Sequence, residues 1–292
     1  MRPASHDEHF AGGEDVMNGK QTRLRRILHP GSRRTVIVPL DHGYTMGPIT
    51  GIAEIEKAAL AAAQGGASAV ILHKGSAGRC AANLPPQISL IVHLSGSTHC
   101  GVDPQRKILV CSVEEAVSLG ADAVSVHVNI GGAHEADMLH DFAYISAEAR
   151  RWGMPLLAML YPESSLSGAV DRAQLIAHAA RLGAELGADL VKIPYTGDPE
   201  SFRQVTGGCG VPVVVAGGPK MGSSGAVLSM VAEAMDAGAA GTALGRNVFQ
   251  HAQPERMVAA IAMLVHQNRS VEEALRRLET PLELTPKRGR VP

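Results

Sequence analysis

Aromatic side chains are scarce in this sequence of 292 residues, because Phe, Trp and Tyr together make up only 3%. A surface that stacks nucleotide bases is built from such rings, so their scarcity argues against one. An excess of positive charge is also missing, since 27 basic residues are matched by 28 acidic ones and the formal net charge is −1. No polyanion-binding surface is indicated, and we expect no nucleic-acid partner.

Cysteines are few, and none of the four in the sequence belongs to a C-x-x-C pair. This spacing argues against a disulfide framework and against a cysteine-rich zinc site. We therefore interpret the thiols as buried or bystander groups. They are Cys80, Cys100, Cys111 and Cys209.

Long apolar runs are absent as well. No stretch has the length of a membrane span, and the first twenty residues lack the basic-then-apolar order of a signal peptide. We expect a cytoplasmic protein with no membrane partner. Residues 1–18 are polar and aperiodic, which predicts a flexible N-terminal extension, and residues 281–292 are predicted to form a loose tail. A hydrophobic content of 45% allows a sizeable core in between, over residues 19–280.

Short β-branched runs recur at fairly even intervals from Thr35 onward, and eight of them are candidate strands. They are nearly all apolar, as expected for parallel strands that are covered on both faces. Several are separated by apolar residues at helical spacing, such as Leu175, Ala179 and Leu182, followed by a glycine that can end a helix. The pattern predicts repeated βαβ units. The eight runs are TVIVPL, SAVILH, SLIVHL, AVSVHV, PLLAML, DLVKIP, VPVVVAGG and GTALGR.

Four near-copies of one segment precede the second, fourth, sixth and eighth candidate strands. Each is a glycine turn that leads from a helix into a strand: GGASAVIL, LGADAVSV, LGADLVKI and AGAAGTAL. An open flavodoxin-like sheet gives no reason for this repeat, whereas a closed barrel packs its interior from alternate strands in layers. The sequence therefore predicts a single α/β domain, a (β/α)8 TIM barrel. Apolar residues at helical spacing over 257–278 add a C-terminal helical extension.

Polar residues stand at the ends of six candidate strands, where the reactive groups of such barrels lie. We expect them to converge at one mouth, and we include Lys74 and His127 among the candidate substrate-binding residues. The full set is Asp41 and His42, His73 and Lys74, His93, His127 and Asn129, Tyr161, and Lys192.

Lys192 lies inside the apolar run of the sixth candidate strand. Loss of hydration there disfavours the ammonium form and leaves a neutral amine available as a nucleophile near pH 7. Such amines attack carbonyl carbons and form Schiff bases. The alternative is a lysine whose stem packs in the strand while its ammonium reaches a carboxylate or phosphate at the strand end.

Tyr161 and Asp41 are candidates for proton transfer beside such an amine. A phenol near an imine can carry protons to and from a carbon or a carbinolamine oxygen, and a carboxylate can hydrogen-bond the same intermediates. Each residue also has a structural interpretation. Tyr161 is then an amphipathic rim residue, and Asp41 caps the loop after the first strand.

Two glycine turns on neighbouring strands carry a more specific signal. The seventh run ends in AGGPK and the eighth in LGRNVF, at the place where many barrels bind a phosphate with backbone N–H groups. Glycines alone are explained by tight turns, but two such turns side by side favour an anion site, and Arg246 can bind the anion bidentately. We therefore expect a phosphorylated small molecule as substrate. The candidate phosphate-binding residues are Gly217, Gly218, Lys220, Gly245 and Arg246.

Histidines at four successive strand ends raise a rival class, a metal-dependent barrel hydrolase or a zinc aldolase. No H-x-H or H-x-x-x-H pair occurs at these ends, and the sixth and seventh strands offer no carboxylate ligand there. A polar lining of the mouth is the more economical interpretation, so we expect neither a metal nor a cofactor. The histidines are His42, His73, His93 and His127.

With these residues assembled, the chain resembles the class I aldolases of the archaeal fructose-bisphosphate aldolase type. It is more closely similar to their relatives, the 2-amino-3,7-dideoxy-threo-hept-6-ulosonate synthases. The resemblance covers residues 18–251. Its motifs are VPLDHGYTMGPITGI, LHKG, VHLSGSTH, VSVHVNIGG, LLAMLYP, ADLVKIPYTGD, VVVAGGPK and LGRNVFQH.

The resemblance implies a role for each matching residue. Lys192 forms the Schiff base with the ketone donor, Tyr161 is the acid/base in carbon–carbon bond chemistry, and Asp41 assists imine formation with His42 beside it. The glycines of the two turns and Arg246 bind the donor phosphate. Relatives form large rings, so a homo-oligomer is expected.

One departure concerns the substrates. Where the heptulosonate synthases usually have YPRG, this chain has YPES, with Glu163 in place of the basic residue. A related branch joins dihydroxyacetone phosphate to aspartate semialdehyde, on the way to 3-amino-4-hydroxybenzoate in secondary metabolism, and we expect that reaction here. A heptulosonate synthase with a deoxyketohexose phosphate donor, a fructose-bisphosphate aldolase and a non-catalytic phosphosugar-binding barrel remain alternatives.

Overall fold

A computed structural model describes residues 18–163 and 171–280 of the chain. The predicted C-terminal tail at 281–292 lies outside these residues. So does the predicted N-terminal extension except for Asn18, where the first helix begins.

Eight parallel strands close into a barrel, and the first strand pairs with the last. Each predicted run forms one of them, so the TIM-barrel prediction is confirmed. In chain order they are β1 (Thr35–Pro39), β2 (Ala69–His73), β3 (Ser89–His93), β6 (Ala123–Ile130), β7 (Leu156–Pro162), β8 (Leu190–Pro194), β9 (Val213–Ala216) and β10 (Gly241–Ala243). A two-stranded antiparallel hairpin, β4 (Ser95–Gly96) and β5 (Ile108–Leu109), follows β3.

Helices alternate with the barrel strands, and the predicted C-terminal helical extension is present as the last of them. None of the helices in the described ranges is both long and apolar enough to cross a membrane. They are α1 (Asn18–Ile27), α2 (His42–Met46), α3 (Ile55–Gln64), α4 (Lys74–Cys80), α5 (Val113–Ser118), α6 (Glu135–Arg151), α7 (Arg172–Glu185), α8 (Pro199–Cys209), α9 (Ser224–Asp236), α10 (Arg246–Phe249), α11 (Pro254–Gln267) and α12 (Val271–Glu279).

The four repeated glycine turns have the geometry that their sequence predicts. One glycine in each has a φ between 79° and 92°, in the left-handed region that favours glycine. Each turn ends a helix and leads directly into β2, β6, β8 or β10. The glycines are Gly66, Gly120, Gly187 and Gly238.

Two apolar cores lie on the two sides of the barrel wall. The larger one fills the space between the strands and the surrounding helices. The smaller one fills the barrel interior and receives one or two residues from every strand: Ile37, Ala69, Ile71, Ile91, Ala123, Leu157, Met159, Leu190, Val214 and Ala243. All four cysteines are free thiols, and three of them are buried while Cys100 is exposed.

The helix α1 closes the barrel at the N-terminal ends of the strands. Its Ile27 is 1% exposed and belongs to the interior core, with Leu24 packed against it. Lys20 Nζ lies 2.9 Å from an oxygen of Asp189, and Arg26 Nη1 lies 2.8 Å from Asp122. The sequence did not predict this helix, because four of its ten residues are basic and its apolar stripe is short.

Candidate active site

Side chains of a β-strand alternate between its two faces, so every second residue of a barrel strand faces the interior, up to the mouth of the barrel. Leu190 faces the interior core, so the side chain two residues later, Lys192, faces the same way. The same rule takes Met159 to Tyr161 on β7 and Ile71 to His73 on β2. The top layer of the barrel interior is therefore polar, although the layers beneath it are apolar.

A cavity of about 290 Å³ lies at this end of the barrel. It gathers nine of the eleven residues to which the sequence analysis assigns a catalytic or substrate-binding role. These nine are Asp41, His42, His127, Tyr161, Lys192, Gly217, Gly218, Gly245 and Arg246.

Lys192 is buried, with 6% of its surface exposed. The one hydrogen-bond partner of its Nζ is Met159 Sδ at 3.7 Å, and no carboxylate of the described residues is within ion-pair distance of it. The snorkelling alternative, in which the ammonium reaches a strand-end carboxylate, is therefore not what the structure contains. Its amine faces the cavity.

Asp41 supplies the carboxylate nearest the centre of the site. Its oxygens lie 3.5 Å from His42 Nδ1 and 4.0 Å from His93 Nε2. Burial raises the pKa of Asp41, but electrostatic interactions with His42, His93 and Lys192 outweigh burial and hold the pKa well below its usual range. Asp41 is thus ionised and acts as a hydrogen-bond acceptor.

Burial keeps the histidines of the site neutral. It lowers the pKa of His93 to about 3, despite the opposing charge of Asp41, and that of His127 to about 4, despite a hydrogen bond to Asn129. The pKa values of His42 and His73 are lowered for the same reason. Within the described ranges, no group of three or more His, Cys, Asp or Glu side chains is arranged to hold a metal ion.

Tyr161 is half-buried at the end of β7, and its ring stacks on that of His127 with centroids 4.9 Å apart. His127 Nε2 donates a hydrogen bond to Asn129 Oδ1 at 2.8 Å. The stack fixes the plane of the phenol, and the cavity lies in front of it.

The two predicted glycine turns meet at the opposite side of the cavity. Gly218 has a φ of +62°, which a residue with a side chain rarely adopts. A Cβ at Gly245 would lie 2.5 Å from His42 Cε1, so glycine is needed there to let that ring approach. Asn247, which the sequence did not single out, joins the turns: its Nδ2 donates to Gly217 O at 2.8 Å, and its Oδ1 accepts from Met221 N at 2.7 Å.

Three charged residues near the mouth differ in where they point. Arg246 lines the cavity, and its buried Nε has no hydrogen-bond partner among the described residues. Lys220 is exposed, donates to Gln250 O at 3.0 Å and lines a neighbouring cavity of about 760 Å³ that also contacts Arg246. Glu163 is absent from the lining of both cavities and packs beside Gly132.

Lys74 does not line the cavity, in contrast to the prediction that it binds substrate. It is exposed, and its Nζ lies 3.1 Å from Glu115 on α5. His73 faces inward, so the next residue faces away, because consecutive strand residues alternate between faces. The structure therefore places Lys74 at the start of α4, next to the end of β2 but outside the cavity.

Several lining residues were missed by the sequence interpretation because they lie outside the ends of the barrel strands. They share no periodic pattern, and the motifs VPLDHGYTMGPITGI and VHLSGSTH include all of them except Lys107. They are Thr45, Met46, Ser95, Gly96, His99 and Lys107.

Comparison with known proteins places this geometry in a family. Residues 35–251 match the DeoC/LacD family aldolase. The 2-amino-3,7-dideoxy-D-threo-hept-6-ulosonate synthase 1 of Archaeoglobus fulgidus is 46% identical over 259 residues, which are 89% of this chain and 95% of that protein. The 2-amino-4,5-dihydroxy-6-oxo-7-(phosphonooxy)heptanoate synthase of Streptomyces griseus is 41% identical over 247 residues, 85% and 90% of the two chains.

A solved structure of the Schiff base forming fructose-1,6-bisphosphate aldolase superposes with a TM-score of 0.77. The match is 33% identical and covers 85% of this chain and all of that one. Three findings agree with one another: the buried lysine in the mouth of the barrel, the family match over most of the chain, and the similarity to these relatives. The chain belongs to the DeoC/LacD family of aldolases, and it is an aldolase of class I, the Schiff-base-forming type.

Proposed function

We propose that this aldolase joins dihydroxyacetone phosphate to aspartate semialdehyde and so makes 2-amino-4,5-dihydroxy-6-oxo-7-(phosphonooxy)heptanoate. The observation that carries the proposal is the buried Lys192 amine in a cavity that also presents Arg246 and two glycine turns. Similarity to the Streptomyces griseus synthase supports the choice of substrates. The product is a C7 amino sugar phosphate, a precursor of 3-amino-4-hydroxybenzoate in secondary metabolism.

Lys192 begins the reaction. Its Nζ lone pair attacks the ketone carbon of the donor, and the carbinolamine that forms loses its hydroxyl as water to give the imine. Asp41 is ionised and accepts a hydrogen bond from the carbinolamine hydroxyl, which holds that group in place for departure. His42 lies beside Asp41 and orients its carboxylate.

Tyr161 moves the proton that the carbon–carbon bond requires. Loss of a proton from the carbon next to the imine gives an enamine, and this carbon attacks the aldehyde carbon of the acceptor. The aldehyde oxygen takes a proton as the bond forms, and water then releases the product from Lys192. A phenol held by its stack on His127 is positioned for both transfers.

The glycine turns and Arg246 hold the donor phosphate. The backbone N–H groups of Gly217, Gly218 and Gly245 approach the anion without side-chain hindrance, and the guanidinium contributes charge-assisted hydrogen bonds. His127 hydrogen-bonds a substrate hydroxyl as a neutral ring. Lys220, from the adjacent cavity, adds positive charge at the phosphate end.

Borohydride trapping tests the proposal. Wild-type protein incubated with dihydroxyacetone phosphate and borohydride is expected to gain one donor-derived adduct on the peptide that contains Lys192. With aspartate semialdehyde added instead of borohydride, mass spectrometry is expected to find the C7 product with its phosphate retained. Turnover that persists in Lys192→Met, with no adduct in the wild type, would refute the mechanism.

A second candidate function is favoured by the 46% identity to the Archaeoglobus fulgidus enzyme. In that case the same lysine takes a deoxyketohexose phosphate as donor and the chain is a 2-amino-3,7-dideoxy-D-threo-hept-6-ulosonate synthase of transaldolase type. Turnover measured with each donor in parallel, followed by product identification, distinguishes the two reactions. The proposal predicts a higher kcat/KM with dihydroxyacetone phosphate.

A further inference from the structure

Lys107 is a cation of the cavity that the aldolase chemistry described above does not use. It is the last residue of the loop of the β4–β5 hairpin, and its side chain lines the same cavity as Lys192 and Arg246. It is partly buried, although the residues on either side of it are exposed. The loop directs one side chain into the mouth of the barrel.

The charge of Lys107 has no counter-ion within the described part of the chain. Its Nζ donates to two neutral acceptors, Ser97 Oγ at 2.6 Å and Pro104 O at 2.9 Å. Burial lowers the pKa of Lys107, and no neighbouring carboxylate opposes that effect. A partly desolvated cation without a counter-ion is stabilised by any anion that enters the cavity.

The loop that carries Lys107 is fixed to the barrel. Asn129 Nδ2, on β6, donates to Gln105 O at 2.7 Å, and Arg106 pairs with Asp137 of α6 at 3.3 Å. Lys107 is therefore held at a defined place by contacts of its loop with β6 and α6, in the hairpin that follows β3.

The order of strands puts this place opposite the phosphate end. In the closed eight-stranded ring, β3 and β6 lie three or four strands away from β9 and β10, whose ends carry the glycine turns and Arg246. The cavity thus has two cationic sides that face each other, and Lys192 enters from β8, between β7 and β9.

We propose that Lys107 binds the carboxylate of the acceptor aldehyde and selects acceptors that carry one. This inference rests on the proposed function, since it names the residue that recognises the second substrate. The C7 product carries its phosphate at one end and its carboxylate at the other, with the imine carbon next to the phosphorylated one. A product with this arrangement fits a cavity that has one cation at each side and the Lys192 amine nearer to the phosphate side.

Two acceptors and three variants test the assignment. Lys107→Met is expected to raise the KM for aspartate semialdehyde about 10- to 100-fold, the effect of losing a charged hydrogen bond. With propanal, which has no carboxylate, kcat/KM is expected to stay within about twofold of wild type. Lys107→Arg keeps the charge and is expected to restore part of the loss. Lys57→Met, on the exposed face of α3, is the control.

Other results would contradict the assignment of Lys107. An equal loss with both acceptors, or a weaker borohydride adduct with the donor alone, would show that Lys107 only maintains the loop. An unchanged KM for aspartate semialdehyde would show that Lys107 does not bind the carboxylate.

Failure of the proposed function has its own signature, the absence of both adduct and product in the wild type. In that case calorimetric titration with succinate decides: binding that Lys107→Met abolishes and Lys57→Met retains supports the carboxylate site. Equal binding by the wild type and Lys107→Met, or no binding by the wild type, overturns it.

Discussion

The two ends of the barrel differ in whether their charged and polar groups have partners. At the N-terminal end, α1 covers the opening, and its basic residues contact carboxylates, as in the Lys20–Asp189 pair. At the C-terminal end, the polar groups of the cavity face one another without completing their hydrogen bonds. Asp41 Oδ1, His42 Nδ1, His73 Nδ1 and Arg246 Nε are all buried there without a partner among the described residues.

This difference separates a part of the molecule that stabilises the fold from a part that binds. A buried polar atom without a partner costs about 1–3 kcal/mol of unfolding free energy, so a cluster of them is retained where a ligand completes the bonds. The threonine hydroxyls of Thr35 and Thr242 are also unpartnered, but they are neutral. Among the described residues, the charged groups with a buried unpartnered atom, Asp41 and Arg246, both lie at the C-terminal end.

The largest effect is expected at Lys192. Lys192→Met removes the proposed nucleophile, so kcat is expected to fall by at least about 1,000-fold. The thioether occupies a similar volume without an amine to bury, so the free energy of unfolding is expected to stay equal or to rise. Kinetics and urea titration of the same preparation measure both quantities. A large loss of stability would assign Lys192 a structural role.

Tyr161→Phe removes one hydroxyl and keeps the stack on His127. We expect kcat to decrease about 100-fold, because proton transfer to and from carbon loses its catalyst, while the borohydride adduct with the donor still forms. Single-turnover measurements separate imine formation from the later steps. If the adduct also disappears, Tyr161 acts earlier than proposed.

Acid is expected to destabilise the C-terminal end through its neutral histidines. The pKa values of His93 and His127 are about 3 and 4 in the folded protein, below the ordinary 6.5. Between the folded-state pKa values and 6.5, the unfolded chain binds more protons than the folded protein. The two histidines therefore do not reduce the free energy of unfolding above about pH 6.5, and they reduce it increasingly as the pH falls below that value. The slope is about 1.4 kcal/mol per pH unit for each histidine. Urea titrations from pH 7 to 5 measure it, and His93→Gln is expected to flatten the curve; an unchanged slope would contradict this account.

Asp189→Ala is expected to act on stability alone. Asp189 accepts hydrogen bonds from Leu156 N at 2.9 Å and from Lys20, so its removal leaves two donors unpartnered at the N-terminal end. The free energy of unfolding is expected to fall by about 2 kcal/mol. Because the site is at the other end of the barrel, kcat/KM is expected to be unchanged at 25 °C. A drop in kcat/KM without a loss of stability would mean that the two ends are coupled.

The smallest effect is expected at Lys74. Its pair with Glu115 is exposed, with 46% and 42% of the side-chain surfaces accessible. Lys74→Met is therefore expected to change the free energy of unfolding by less than about 1 kcal/mol. Since Lys74 lies outside the cavity, kcat/KM is expected to remain within about twofold of wild type. A strong rise in the donor KM would return Lys74 to the phosphate-binding set.

The sequence predicts most of the C-terminal end because barrel strands obey simple rules. Apolar runs locate the strands, strand ends locate the mouth, and the period of two directs Lys192 and Tyr161 inward. The same period explains the error at Lys74, whose inward neighbour is His73. A rule based on strand ends alone does not distinguish these two directions.

These rules do not predict elements that contain few apolar residues. The helix α1 is dominated by basic residues, and its closing role depends on contacts with Asp189 and Asp122, which are distant in sequence. Lys107 has no strand of its own to set its direction, because the hairpin loop is placed by Asn129 and Asp137. Long-range contacts of this kind are not encoded in local periodicity.

The bridge made by Asn247 has a consequence for the thermodynamics of association. Its amide holds the β9 and β10 turns together through Gly217 O, Pro219 O and Met221 N. The conformational entropy of ordering these turns is therefore lost during folding, and the phosphorylated donor that we propose meets turns that are already ordered. We expect even small phosphate esters, which make few contacts, to bind there with measurable affinity.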